Sequence, residues 1–345
     1  MNKYLILFGL LGILIISCYY SLVTGTYDVS NFQLIKALFN HDINSPIGLI
    51  LWNFRIPRLL TSLLVGGSLA IGGYILQTIT RNPIADAGLL GINSGAAFGS
   101  VFYYFIVGSY FIDGAQLQAI SLIIFGIVGA LFALLLNFFL SINTSGLSMA
   151  RFILNGIAIN MGFSAITTYF SLKINNDDYS RVNNWLQGSI SQSNWTSVYQ
   201  IFPWVLIAFT LLLFSQNHLE LLRYSDSHLR SIGFSTSYWR LFFILLASIF
   251  ICTSVIVAGN VAFVGLIVPY ITLKFFKRNS KLLIPAIFIN GMSLVTFCDT
   301  FVKKIFAPNE LPLNSMIGII GIPYLVLIFI SNSTVDWKKN NAKNC

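Results

Sequence analysis

The stretch "RIPRLLTSLLVGGSLAIGGYILQTITRNPIADAGLLGINSGAAFGS", residues 55–100, decides the fold class. Between Arg58 and Arg81 no residue is charged, and the run matches the roughly 20 apolar residues that a bilayer-spanning helix needs. Asn82-Pro83 ends that helix, because proline lacks an N–H and restricts the residue before it. Arg81 marks the end facing water. After the turn, Gly91, Gly95 and Gly99 recur every four residues with Ser94 and Ala97 beside them. One face of the next helix is therefore almost bare of side chains, which suits close helix packing in a membrane. Ser62, Gly66 and Ala70 repeat the pattern on the helix before it.

Composition extends this reading to the whole chain. Of 345 residues, 56% are hydrophobic and only 9% are charged, against about 25% charged in soluble domains. Unbroken runs such as "ILFGLLGILII" and "LIIFGIVGALFALLLNFFL" exclude a β-barrel, whose strands alternate over about 10 residues. The fold class is all-α integral membrane protein, a single polytopic domain over residues 1–345. Ten spans are expected, at 4–24, 57–79, 88–108, 116–140, 149–172, 198–215, 238–258, 260–277, 282–302 and 312–331. The first reads as a retained helix, since no small-x-small cleavage site follows it. The eighth contains Gly265 and Pro269 and reads as short or broken, which a membrane tolerates only where protein or a water-filled cavity covers the freed backbone.

An even number of spans puts both termini on one side. That side receives thirteen of the 20 Lys and Arg residues, Arg81, Arg151, Arg223, Arg230, Arg240, Lys274, Lys277, Arg278, Lys338, Lys339 and Lys343 among them. The other side keeps Lys36, Arg55, Arg58, Lys173, Arg181, Lys303 and Lys304. The excess makes the first side, with both termini, cytoplasmic. The net charge of +9 thus reflects insertion and anionic lipid, not a nucleic-acid partner.

Several activities are excluded or disfavoured. No G-x-x-x-x-G-K-[ST] run occurs, so the chain is not an ATPase and not an enzyme of that kind. Cys18, Cys252, Cys298 and Cys345 have no paired spacing, and His41, His218 and His228 are dispersed; no metal, cofactor or catalytic constellation is read. The acids sit at span ends and in loops. An ion-coupled secondary transporter, the alternative class, would place acids at mid-membrane or show mirrored broken helices. Asp299, near a span end, reads as structural pairing and not a proton relay.

Four further stretches stand out. Arg55 and Arg58, in "RIPR", open the second span on the outer face, as lipid anchors or as docking charges for an acidic partner. "ELLRYSDSHLRSIGFSTSYWR", Glu220 to Arg240, is longer than a connection requires; Ser225 or Asp226 can cap a short helix, Gly233 can stop it, and Leu229 and Ile232 give it an apolar face. "GNVAFVGLIVPY", Gly259 to Tyr270, is apolar backbone broken by glycine and proline. Asn155 and Asn160, inside the fifth span, either bond a neighbouring helix or line a path.

In order, the opening stretch, "LNGIAIN", "NNWLQGSISQSNW", "LRSIGF", "VAFVGLIVPY" and "NELPLNSMIGIIGIPY" resemble the FecCD-type permease family, which imports iron-siderophores, haem or vitamin B12 as the membrane part of ATP-binding-cassette transporters. The resemblance covers nearly the whole chain. It implies a type II importer fold like that of the vitamin B12 permease, in a bacterial plasma membrane. It also implies a second permease copy or close paralogue, two cytoplasmic ATPase subunits and an extracellular binding protein. The loop Ser225–Gly233 would be the ATPase-coupling element, with Arg230, Ile232 and Gly233 matching the family's core there. Arg55 or Arg58 with Lys303 match outer basic positions that meet the binding protein, although Lys303 stands where the family usually has arginine. The family's Pro-His pair reads Pro269-Tyr270 here, so no imidazole role carries over. A ferric siderophore is the expected cargo, with haem and cobalamin as alternatives.

Overall fold

The computed structural model describes residues 3–25, 29–40, 45–110, 115–143, 146–174, 183, 186–276, 281–306, 311–323 and 326. Arg181, Lys277, Arg278, Lys338, Lys339 and Lys343, used above to judge sidedness, lie outside the described residues. The elements are α1 Lys3–Val23, α2 Asn31–Asn40, α3 Pro46–Thr80, α4 Ile92–Tyr110, α5 Ala115–Ser141, α6 Met149–Ser171, α7 Trp195–Leu221, α8 Asp226–Ser231, α9 Thr236–Ala258, α10 Val264–Phe275, α11 Leu283–Ile305 and α12 Leu313–Pro323. A two-residue antiparallel hairpin, Ile142–Asn143 with Gly146–Leu147, turns α5 into α6.

Nine of the expected spans coincide with helices, the tenth, 312–331, is described as helix over Leu313–Pro323, and among the described residues seven helices are long and apolar enough by themselves to cross a membrane. The chain is an all-α multi-pass membrane protein. The eighth span is short: α10 has 12 residues, about 18 Å at 1.5 Å per residue, against a hydrocarbon core of about 30 Å. It is entered through Gly259 (φ 70°) and Phe263 (φ 67°). A phenylalanine in the left-handed region is strained, and the surrounding contacts hold it. Gly188 accepts from the Leu313 N–H at 2.9 Å, Ser189 donates to the Ala258 carbonyl at 3.0 Å, and the Asn314 side chain accepts from the Ala262 N–H at 3.0 Å.

α3 is the mast of the bundle, and small residues let its neighbours approach. A Cβ on Gly66 would lie 2.3 Å from the Gly291 carbonyl oxygen of α11, and one on Gly73 2.0 Å from that of Gly265 in α10. Beside the first crossing the hydroxyls of Ser62 and Thr296 share a hydrogen bond of 3.0 Å. α4 packs on α5 in the same way: a Cβ at Gly95 would meet the Ala133 Cβ at 2.5 Å, and one at Gly99 the Phe125 carbonyl at 2.0 Å. Gly91 (φ 79°) sits against Ile159 of α6. In hydrocarbon no hydrophobic gain separates helix–helix from helix–lipid contact, so this close van der Waals approach is what holds the bundle together.

Two features depart from the sequence reading. The second span was expected to open at residue 57, but its helix begins at Pro46 and carries a π-helical turn at Leu51–Arg55. The polar connection before it contains α2. The Trp52 indole N–H donates to the Ala37 carbonyl at 3.2 Å, and the Trp195 indole donates to the Trp52 carbonyl at 2.8 Å. Two tryptophans thus stitch α2, α3 and α7 together at one end, where amphipathic rings are favoured.

Candidate functional site

At the end of the bundle where α3 stops, a short helix stands out from the membrane spans. Ser225 caps α8, its hydroxyl accepting from the His228 N–H at 3.4 Å. The helix closes in a Schellman turn: the Gly233 N–H donates to the Arg230 carbonyl at 3.0 Å and the Phe234 N–H to the Leu229 carbonyl at 2.9 Å. Gly233 takes the left-handed conformation (φ 76°) that such a turn requires. Leu229 is completely buried and seats α8 in the main core, whereas Arg230, Gly233 and Ile232, the last 59% exposed, face outward together. Tyr224 and Tyr238 are exposed on the flanks. His218 stacks on Trp239 at 3.8 Å, joining the end of α7 to the start of α9 beneath this helix.

One carboxylate ties α8 to the spans. Asp226 accepts from Arg240 in a two-point pair at 2.9 and 2.6 Å and from Arg81 at 2.6 Å. Arg81, in the left-handed cap that ends α3 (φ 55°), also donates to the Leu222 carbonyl at 3.0 Å and to the Tyr224 carbonyl. Burial pushes the Asp226 carboxyl up, but the hydrogen bonds and charges of Arg240 and Arg81 outweigh that and hold it below its ordinary 3.8. The sequence reading took Asp226 as a capping residue within the coupling loop and Arg81 as a boundary marker, and did not pair them. The available signal was the scarcity of acids on a side rich in arginine.

At the opposite end lie Arg55, Arg58 and Lys303, all three buried. Arg55 is 4% exposed, Arg58 9% and Lys303 9%. Arg58 pairs with Asp299 of α11 through Nε at 3.1 and 3.0 Å and Nη2 at 2.8 Å. Arg55 donates to the Leu22 and Val23 carbonyls at 2.5 and 2.9 Å, and Lys303 to the Ser21 carbonyl at 3.2 Å. Two cations thus sit on the last turn of α1, where carbonyls lack helical partners and the helix dipole is negative. The three side chains turn inward, toward acceptors of the chain itself. The exposed described cations at this end are Lys36, Lys173 and Lys304.

The two amides also part ways. Asn155 donates to the Ser141 hydroxyl at 3.1 Å; Ser141 donates to Asn137, and Asn137 to the Leu90 carbonyl at 3.2 Å. That chain of bonds fastens α6 to α5 and to the turn before α4, which is a packing role. Asn160, half-buried, adjoins an exposed face of α6 on which Ala158, Gly162, Ala165 and Thr168 alternate with Leu154, Met161 and Tyr169. A Cβ at Gly162 would meet nothing within 4 Å.

A many-helix membrane bundle with a broken half-length helix and a capped loop helix standing off one end defines a transport permease. The chain belongs to the FecCD transport family, whose profile matches residues 13–331. It is 34% identical to the iron-uptake system permease protein FeuC of Bacillus subtilis (strain 168), over 92% of this chain and 95% of that one. It is 30% identical to the iron(3+)-hydroxamate import system permease protein FhuG of the same organism, over 95% and 98%. Its structure superposes on an inward-facing transporter described as of the metal-chelate ABC type, with TM-score 0.81, 26% identity and coverage of 95% of this chain and 99% of the other.

Proposed function

We propose that this chain is the membrane permease of an ATP-driven importer of ferric chelates, with a ferric siderophore as cargo and haem or cobalamin as the alternatives. The observation that carries the reading is α8, a separately capped helix with one buried anchor and a contiguous exposed face, set in a chain whose relatives are named as iron permeases. Such a helix, seated on the bundle by one face and open on the other, suits a surface gripped from outside. On this reading two cytoplasmic ATPase subunits hold Arg230, Ile232 and Gly233 through Leu229-anchored α8. Closure of the ATPase dimer drags α8, and Asp226 passes the displacement to α3 through Arg81 and to α9 through Arg240.

The Arg81 end is then cytoplasmic and the Arg58 end extracellular, in a bacterial plasma membrane. We assign Arg55, Arg58 and Lys303 to shaping the extracellular rim, and place direct attraction to an acidic binding protein on Lys304 beside them. A second copy or close paralogue completes the path. We place its lining on α6 around Asn160, where the exposed face mixes Gly162, Ser164 and Thr168 with Leu154, Met161 and Tyr169. Alternating access follows when ATP tilts the helices about the α3 mast.

The test is uptake into vesicles holding the assembled transporter. Import follows ATP and is indifferent to a proton gradient; import that follows the gradient without ATP would establish the secondary-transporter alternative. Titrating the cognate binding protein with ferric siderophores, haem and cobalamin assigns the cargo.

A further inference from the structure

Between α3 and α10, at the end where both helices stop, lies a cavity of about 360 Å³ lined by Tyr74, Gln77, Thr78, Arg81, Pro83, Arg223, Tyr270, Leu273 and Lys274. Its walls are fixed. The Gln77 amide donates to the Gly265 and Leu266 carbonyls at 3.1 and 3.4 Å, and the Gly73–Gly265 crossing holds the helices in contact above it. Its floor is polar and buried, formed by Tyr74, Gln77 and Thr78. Its mouth is basic: three of the described lining residues are cations and none is an acid. These cations come from three separate segments, the cap of α3, the loop after α7 and the last turn of α10. Arg81 is held there by Asp226 and the Leu222 and Tyr224 carbonyls; neither lipid packing nor the helix crossings require Arg223 and Lys274 to join it.

We propose that this cleft binds a phosphate-bearing anion, and that in the membrane the occupant is the headgroup of an acidic phospholipid. Arginine matches phosphate oxygens two at a time, and basic pockets between transmembrane helices on the cytoplasmic side take anionic headgroups. The mouth lies at helix ends, which is headgroup level, and the volume accommodates a phosphodiester with its glycerol. Because Arg81 also holds Asp226, an anion in the cleft braces the point where α8 is tied to the mast. The proposal goes beyond the importer reading, and its test in detergent depends neither on membrane sidedness nor on transport.

The full chain, purified in detergent and stripped of lipid, is melted with phosphatidylglycerol, phosphatidylcholine or inorganic phosphate, and the retained lipid is counted by native mass spectrometry. Phosphatidylglycerol is expected to raise the midpoint by about 3 °C more than phosphatidylcholine, as ligand binding to the folded state requires. The double variant Arg223→Gln, Lys274→Gln should lose most of that increment and retain one acidic lipid fewer. Lys274→Gln alone, at an exposed position, gives a smaller loss if the double variant does not fold. Arg151→Gln, exposed on α6 and outside the cleft, should keep the full increment. An increment with inorganic phosphate but none for phosphatidylglycerol over phosphatidylcholine would assign a soluble anion and overturn the lipid source. An increment undiminished in the double variant, or lost equally in Arg151→Gln, overturns the site.

Discussion

Asp226 gathers α3, α8 and α9 onto one carboxylate. Replacing it with asparagine keeps the shape and removes the charge, leaving buried Arg240 without its ion-pair partner. Severing a fully buried pair costs about 3–5 kcal/mol; the Asp226 side chain is 36% exposed, so solvent screens its pairs and the loss of stability is a fraction of that. The expected outcome for Asp226→Asn is a folded permease that still associates with its ATPase but imports poorly, read as uptake per ATP hydrolysed. The sign of its pH dependence follows from the carboxyl being held below 3.8. Its contribution is complete above the unfolded value and is lost as pH falls through the folded one. The distance between spin labels on α8 and α9 should therefore not change from about pH 8 to about pH 5. At the other end, Arg58 and Asp299 form the more deeply buried pair. Arg58→Met should lower stability by about 3–5 kcal/mol, while Arg58→Met with Asp299→Leu should recover most of it, because no lone buried charge remains. Thermal melts of the three variants measure this; equal damage from single and double changes would mean that the pair does not act as a unit.

For the elements, glycine separates packing from open surface. Gly66→Ala inserts a methyl where the Gly291 carbonyl stands 2.3 Å away, whereas Gly162→Ala inserts one into open space. The first should lower the melting midpoint and the yield of the isolated permease; the second should leave both unchanged. The helices themselves were legible in the sequence, because in a bilayer the length of an apolar run and its charged ends determine a span. The shortness of α10 was legible too, from Gly265 and Pro269 within a barely sufficient run. The α2 helix and the eleven extra residues of α3 were not, since a polar connection carries no run-length signal and Trp52 acts through backbone carbonyls distant in sequence. The inward turn of Arg55 and Lys303 was equally hidden. A sequence places a side chain along a helix, but its rotation toward the end of α1 is decided by packing. Ser225, Leu229 and Gly233 could be read because capping, burial and a left-handed stop are local; the Arg81–Asp226 pair, 145 residues apart, could not.

At the scale of the whole molecule, the charges that remain exposed decide how partners meet it. Lys304→Glu should weaken association with an acidic binding protein and steepen as salt is lowered, since an exposed charge acts mainly on encounter. Arg58→Met in contrast should act through stability. Binding-protein affinity measured at two ionic strengths distinguishes them. The account as a whole rests on α8 being the handle by which separate ATPase subunits move a bundle built around α3. The most direct measurement places a single cysteine at Ile232 in a chain whose own cysteines are replaced, assembles it with its ATPase and traps the nucleotide-bound state. A short bifunctional reagent should then join the permease to the ATPase, with no such product from a cysteine at Tyr199 at the opposite end of α7. If Ile232 forms no crosslink in the trapped complex while transport is intact, α8 is not the coupling helix and the account is wrong.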